Sequence, residues 1–66
     1  MFTQAQAVAL REKINQEIPH LDVQINAEEP PYMYTYYLVV SQEGKLRFVV
    51  RNEVQWQERR HLLMSG

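Results

Sequence analysis

The spacing of apolar side chains divides the 66-residue chain into five segments. In the first, Ala7, Leu10, Ile14 and Ile18 recur at helical intervals and share one narrow stripe at ~100° per residue. Ala5, Ala9, Glu12, Lys13 and Gln16 lie opposite, so the pattern predicts an amphipathic helix. Thr3 and Gln6 have capping-box spacing at its start, and Pro19 disfavours helical geometry at Ile18, which sets its end. Leu21, Val23 and Ile25 then alternate with Asp22, Gln24 and Asn26, the period of a short edge strand with one wet face. Residues 27–31 hold two prolines, which cannot donate to a ladder, and read as a connecting loop. From Tyr32 to Ser41 the chain is apolar on both faces, with Tyr34, Tyr36, Leu38 and Val40 on one and Met33, Tyr37 and Val39 on the other. That predicts a central strand. Gln42-Glu43-Gly44-Lys45 is a hairpin signal, with Gly44 suited to a positive φ. In the strand that follows, Leu46, Phe48 and Val50 are expected to face the core, and Lys45, Arg47, Val49 and Arg51 the other side.

The last segment supports two readings. Asn52 and Gln55 have capping spacing, and the Gln, Glu, Arg and Leu residues after them favour a helix from about Glu53 to Met64. Val54 and Trp56, however, continue the even-numbered alternation of Leu46, Phe48 and Val50, as a prolonged strand would. The helix is the favoured reading, and it raises a question about its apolar residues. Val54, His61 and Leu62 fall on one side, whereas Trp56 and Leu63 fall nearly opposite, close to Arg59 and Arg60. Either Trp56 points into the core, or Trp56 and Leu63 are contact area for another chain, rimmed by the two arginines.

The element order is therefore α-β-β-β-α, an α+β fold in which a three-stranded antiparallel sheet carries its helices on one face. Residues 1–66 are expected to form a single small domain. The order and length are similar to those of double-stranded RNA-binding domains. Those domains open their last helix with a lysine cluster, where this chain has Asn52-Glu53-Val54-Gln55-Trp56, so the likeness stops at topology.

Composition narrows the function classes. The chain is too short for a dinucleotide-binding unit or a (β/α) barrel. It has no cysteine, hence neither disulfide framework nor thiolate metal site. No apolar run reaches the ~18–20 residues of a membrane span, and the first segment is too polar for a signal peptide. A cytoplasmic location is expected. Seven basic against eight acidic residues, net −1, argue against polyanion binding by bulk charge. That sum conceals an acidic stretch (Asp22, Glu28, Glu29) and a basic one (Lys45, Arg47, Arg51).

Catalytic chemistry is poorly supplied. Ser41 and Ser65 lack a nucleophile elbow, two glycines cannot build a phosphate loop, and His20 and His61 lack partners at metal spacing. The Glu28-Glu29 pair beside two prolines reads as a solvated acidic turn. No cofactor, metal or catalytic residue is expected, and the chain reads as a non-enzyme. Tyr37 is more informative, because it falls on the open sheet face with Met33, Val39, Val49, Arg47 and Arg51. Tyrosine and arginine are the residue types that anchor protein interfaces. The sequence thus predicts an interaction module of regulatory, adaptor or inhibitor type, bound to a protein partner or to itself as a homo-oligomer. Its expected contacts are Tyr37, Arg47 and Arg51 on the sheet, and Trp56, Arg59, Arg60 and Leu63 on the last helix. The second reading is nucleic-acid binding, with Tyr37 stacking on bases and arginines on phosphates.

Overall fold

A computed structural model describes residues 2–28 and 35–64. Helix α1 runs Gln4–Glu17, strand β1 Asp22–Glu28, β2 Thr35–Gln42 and β3 Lys45–Val50, followed by helices α2 Glu53–Arg59 and α3 His61–Met64. The expected order is thus the observed one, with the last helix divided at Arg60. The expected start of the central strand at Tyr32–Tyr34 lies outside the described residues.

Local chemistry sets the helix ends. The Thr3 side chain accepts from the Gln6 N–H, and the Thr3 N–H donates back to Gln6 Oε1 at 3.0 Å, closing the capping box. At the other end Ile18 leaves helical geometry at φ −134°, ψ 78°, as the following proline demands. Asn52 caps α2 by accepting from the Gln55 N–H at 2.8 Å, but the Gln55 side chain answers the N–H of Arg51, one residue earlier than a capping box would.

The strands are antiparallel in the order β1-β2-β3. At the hairpin, Gln42 pairs with Lys45 across a two-residue turn whose central residues Glu43 and Gly44 both have positive φ, 55° and 79°. This is the primed turn geometry, whose twist matches that of the flanking strands. Ser41 pairs with Leu46, but the next pair is Val40 with Phe48, so Arg47 is an extra residue in a β-bulge. Because paired residues share a face, the turn puts Leu46 on the side of Ser41, and the bulge returns Phe48 to the core side. The expectation that Leu46 faces inward with Phe48 and Val50 is therefore corrected: Leu46 is 64% exposed and shares the opposite face with Ser41.

Phe48 and Val50 do face inward. With Val23, Leu38 and Val40 they meet Ala7, Leu10 and Ile14 of α1 and Trp56 of α2, and Phe2, Leu21 and partly buried Tyr36 and Leu63 complete the cluster. Both long helices thus cover the same sheet face. Phe2 enters the core by a bridge to Tyr36, whose N–H donates to the Phe2 carbonyl at 3.3 Å. It takes the place on β2 that β3 vacates after Val50, where the chain turns away into α2. Among the described residues no helix is long and apolar enough to cross a membrane.

The left-handed conformation of Glu43 is strained for a residue with a Cβ and a long side chain. Asparagine tolerates it far better, so Glu43→Asn is expected to stabilise the protein by roughly 0.5–1 kcal/mol. A urea unfolding series checks this, and an unchanged or lower midpoint contradicts the turn geometry.

Candidate functional site

The sheet face opposite the helices is built from alternate residues of all three strands. Register places Asp22, Gln24, Asn26 and Glu28 of β1 beside Ser41, Val39, Tyr37 and Thr35 of β2, with Val49 and Leu46 of β3 beyond them. Tyr37, Val39 and Val49 are half-buried, and Leu46 projects at the hairpin end. They form an apolar row with the polar, acidic residues of β1 along one border and Arg51, just after β3, at one end of the other. No residue of the core helices lies on this side.

Arg51 follows β3 and reaches back across the face. Its guanidinium lies 4.8 Å from the centre of the Tyr37 ring, a cation–π contact worth ~0.5–1 kcal/mol at an exposed site. From there one nitrogen donates to Glu28 Oε2 at 2.5 Å, linking the two outer strands over the central one. Both side chains remain about half exposed, 47% and 56%, so the ion pair itself adds well under ~1 kcal/mol once solvent screening is counted. Tyr37 and Arg51, expected together, are brought together, with an acidic partner the sequence reading did not assign to them.

The other expected contact residues are placed differently. Arg47, expected in the open-face row, is the bulge residue, and its guanidinium points to the Leu62 carbonyl of α3 at 3.4 Å. Trp56, expected as a contact residue, is 0% exposed and packs on Phe48 with ring centres 6.3 Å apart. It belongs to the core because α2 rises directly behind the end of β3, so its fourth residue after the cap points back over Phe48. Arg60 lies over the outer side of the same ring at 5.3 Å and donates to Glu17 of α1 at 3.1 Å. Arg59 donates to the Val49 carbonyl on the outer edge of β3. Leu63 packs against the core. The arginines expected at an interface rim thus tie α2 to its own sheet and to α1. It is the Val54, His61 and Leu62 side of the segment that faces outward.

Two residues absent from the expected set belong to the face: Leu46, paired there with Ser41, and Glu28, at the far end of β1. The hairpin alone could have revealed Leu46, since a two-residue turn pairs it with Ser41 and so puts it opposite Val40.

Elsewhere, a groove of about 400 Å³ lies between α1 and the start of α2, with Lys13 and Glu53 as its charged lining residues. It is lined by neither histidine, serine nor threonine. Among the described residues no three histidine, aspartate or glutamate side chains converge as metal ligands. Comparison of the chain with protein-family models, with curated proteins and with solved structures finds no match.

The indole N–H of Trp56 has no acceptor among the described residues, which costs ~1–3 kcal/mol against the gain from burying the ring. Trp56→Ala is expected to remove ~3–5 kcal/mol, comparable with the ~3–10 kcal/mol of a domain this size. Circular dichroism should show a largely unfolded variant, whereas Trp56→Phe stays folded. A folded, stable Trp56→Ala protein would contradict the core role.

Proposed function

We propose that the chain is a cytoplasmic, non-enzymatic protein-interaction module of regulatory or adaptor type, and that it binds through the open sheet face. The observation that carries this reading is the position of Leu46. Its pairing with Ser41 puts it, 64% exposed, on the same uncovered face as Tyr37, Val39 and Val49. A monomer gains nothing from exposing that side chain, and a contiguous apolar row bounded by charges is the anatomy of a recognition surface. Arg51, stacked on Tyr37 and held by Glu28, is already ordered, which lowers the entropy lost on docking.

Nucleic-acid binding through the same face has less support. Arg51 already has a carboxylate partner, and Asp22 and Glu28 share the face with it, so a phosphate backbone would meet anions as well as cations.

A photo-crosslinking residue at position 46, with position 54 on the exposed side of α2 as control, tests the assignment. Discrete protein adducts are expected from position 46 only, and Tyr37→Ala should reduce them at least tenfold with folding intact. Equal labelling from both positions, or none from 46, sinks the open-face reading. Adducts to nucleic acid that fade between ~50 and ~200 mM salt would favour the alternative.

A further inference from the structure

Independently of the open-face reading, we infer that β1 is a dimerisation strand, whose outer edge pairs antiparallel with β1 of a second copy of this chain. Two three-stranded sheets then join into one continuous sheet. The direction of the backbone groups carries the argument. The Tyr36 N–H donates to the Phe2 carbonyl, which lies on the β3 side of β2 because β1 occupies the other side. Backbone direction alternates along a strand, so Tyr36, Leu38 and Val40 address β3, and Thr35, Tyr37, Val39 and Ser41 address β1. Their partners Glu28, Asn26, Gln24 and Asp22 direct their own backbone groups at β2. The N–H and C=O groups of Val23, Ile25 and Ala27 therefore point outward, where no strand lies among the described residues. By the same rule the Val49 carbonyl points outward on β3, as its bond from Arg59 requires.

Edge strands are ordinarily guarded by lysine, proline, a bulge or an inward charge. Strand β1 has none of these. Its register with β2 is unbroken from Asp22 to Glu28, and its core-side residues are Val23, Ile25 and Ala27. A loose peptide would have to be ordered on docking, whereas β1 of a second copy is already held extended by its own β2. A two-fold axis through the seam leaves few registers. Centred on Ile25, it sets Asp22 against Glu28 of the other copy at both ends, carboxylate against carboxylate. Centred on Val23, it draws Pro19, which has no N–H, into the ladder opposite Ala27. Centred on Gln24, it sets Val23 against Ile25 and Leu21 against Ala27 on the core side, and Asp22 against Asn26 on the open side. Val23 and Ile25 then exchange both backbone bonds, no charge meets its like, and Glu28 keeps its own Arg51. Half-buried Ile25 and exposed Ala27, where the core stops in one copy, gain apolar neighbours across the seam. Gln24 faces its own counterpart in a non-hydrogen-bonded pair, with Cα atoms ~4.5 Å apart.

Disulfide trapping tests this on the full chain, which has no cysteine of its own. Gln24→Cys should form a covalent dimer under mild oxidation, because ~4.5 Å lies within disulfide reach. Asn26→Cys, equally exposed, should run as a monomer on a denaturing non-reducing gel, since its counterpart lies ~13 Å away at ~3.3 Å per residue. Sedimentation equilibrium should show the wild type approaching twice the 7.9 kDa monomer mass. Gln24→Glu and Gln24→Lys, their folding checked by circular dichroism, should each weaken the dimer about fivefold, and an equimolar mixture should recover it. Trapping from position 26 as fast as from 24, or charge variants that associate like the wild type, would overturn the Gln24-centred pairing. A wild type that stays monomeric at millimolar concentration would overturn the second copy and leave the edge to an extended segment of another protein. None of these results touches the open-face reading, which is decided by the crosslinks from position 46, on the strand farthest from the seam.

Discussion

The packing of Trp56 on Phe48 is the contact on which the rest of the arrangement depends. Helix α1 lies chiefly over β1 and β2, whereas the inner face of β3 is covered by α2. Helix α2 has seven residues, too few to be stable by itself in water. Its place is held by one large ring, buried completely, with Arg60 closing the outer side of the ring and Arg59 fastened to the edge of β3. Burying an aromatic of this size removes ~150–250 Å² from water, the largest single apolar contribution the segment can make. The unbonded indole N–H is tolerated because that contribution exceeds its desolvation cost.

Spending both helices and the only tryptophan on one side of the sheet leaves the other side uncovered. Three strands give two faces of equal size, and a chain this short has nothing further among its described residues to lay on the second. The side chains there show how the exposure is managed. Arg51 lies over Tyr37, Val39 pairs with Val49, and Asp22 and Glu28 line the β1 border. Only Leu46, at the hairpin end, stands clear of its neighbours. Fold and proposed site are thus two outcomes of one allocation of apolar residues.

Much of this was readable in the residues themselves. Thr3, Gln6 and Pro19 act within one helical turn of the features they control, so α1 follows from local rules. The alternation in β1 and the Glu43-Gly44 turn are equally local. What escaped a local reading was a conflict between two local rules. The turn pairs Gln42 with Lys45, whereas burying Phe48 requires it opposite Val40, and these registers differ by one residue. Continued without a bulge, the first would bring Arg47 against Val40 in the core. Tertiary packing settles the conflict by expelling Arg47 from the ladder, which brings Phe48 and Val50 inward and leaves Leu46 on the open face where the turn puts it. Trp56 was ambiguous for a related reason. Its even-numbered position suits a strand and its cap suits a helix, and either geometry brings the ring over Phe48. Burial was therefore determined by the neighbour it reaches, which periodicity does not encode. The inward duties of Arg59 and Arg60 depend on Val49 and Glu17, residues distant in sequence and adjacent only once the sheet has formed.

Arg59 on the Val49 carbonyl has a further consequence, for how copies of this molecule can accumulate. A sheet grows into a filament by strand addition only when both of its edges accept a neighbour. Here the β3 edge is occupied, by Arg59 at Val49 and by the chain of α2 and α3 running beside it. Addition at β1 alone ends after two molecules, because each newcomer presents the same blocked side. The guanidinium that anchors a short helix therefore also acts as a stopper, making edge-wise growth finite in a protein with an otherwise open sheet.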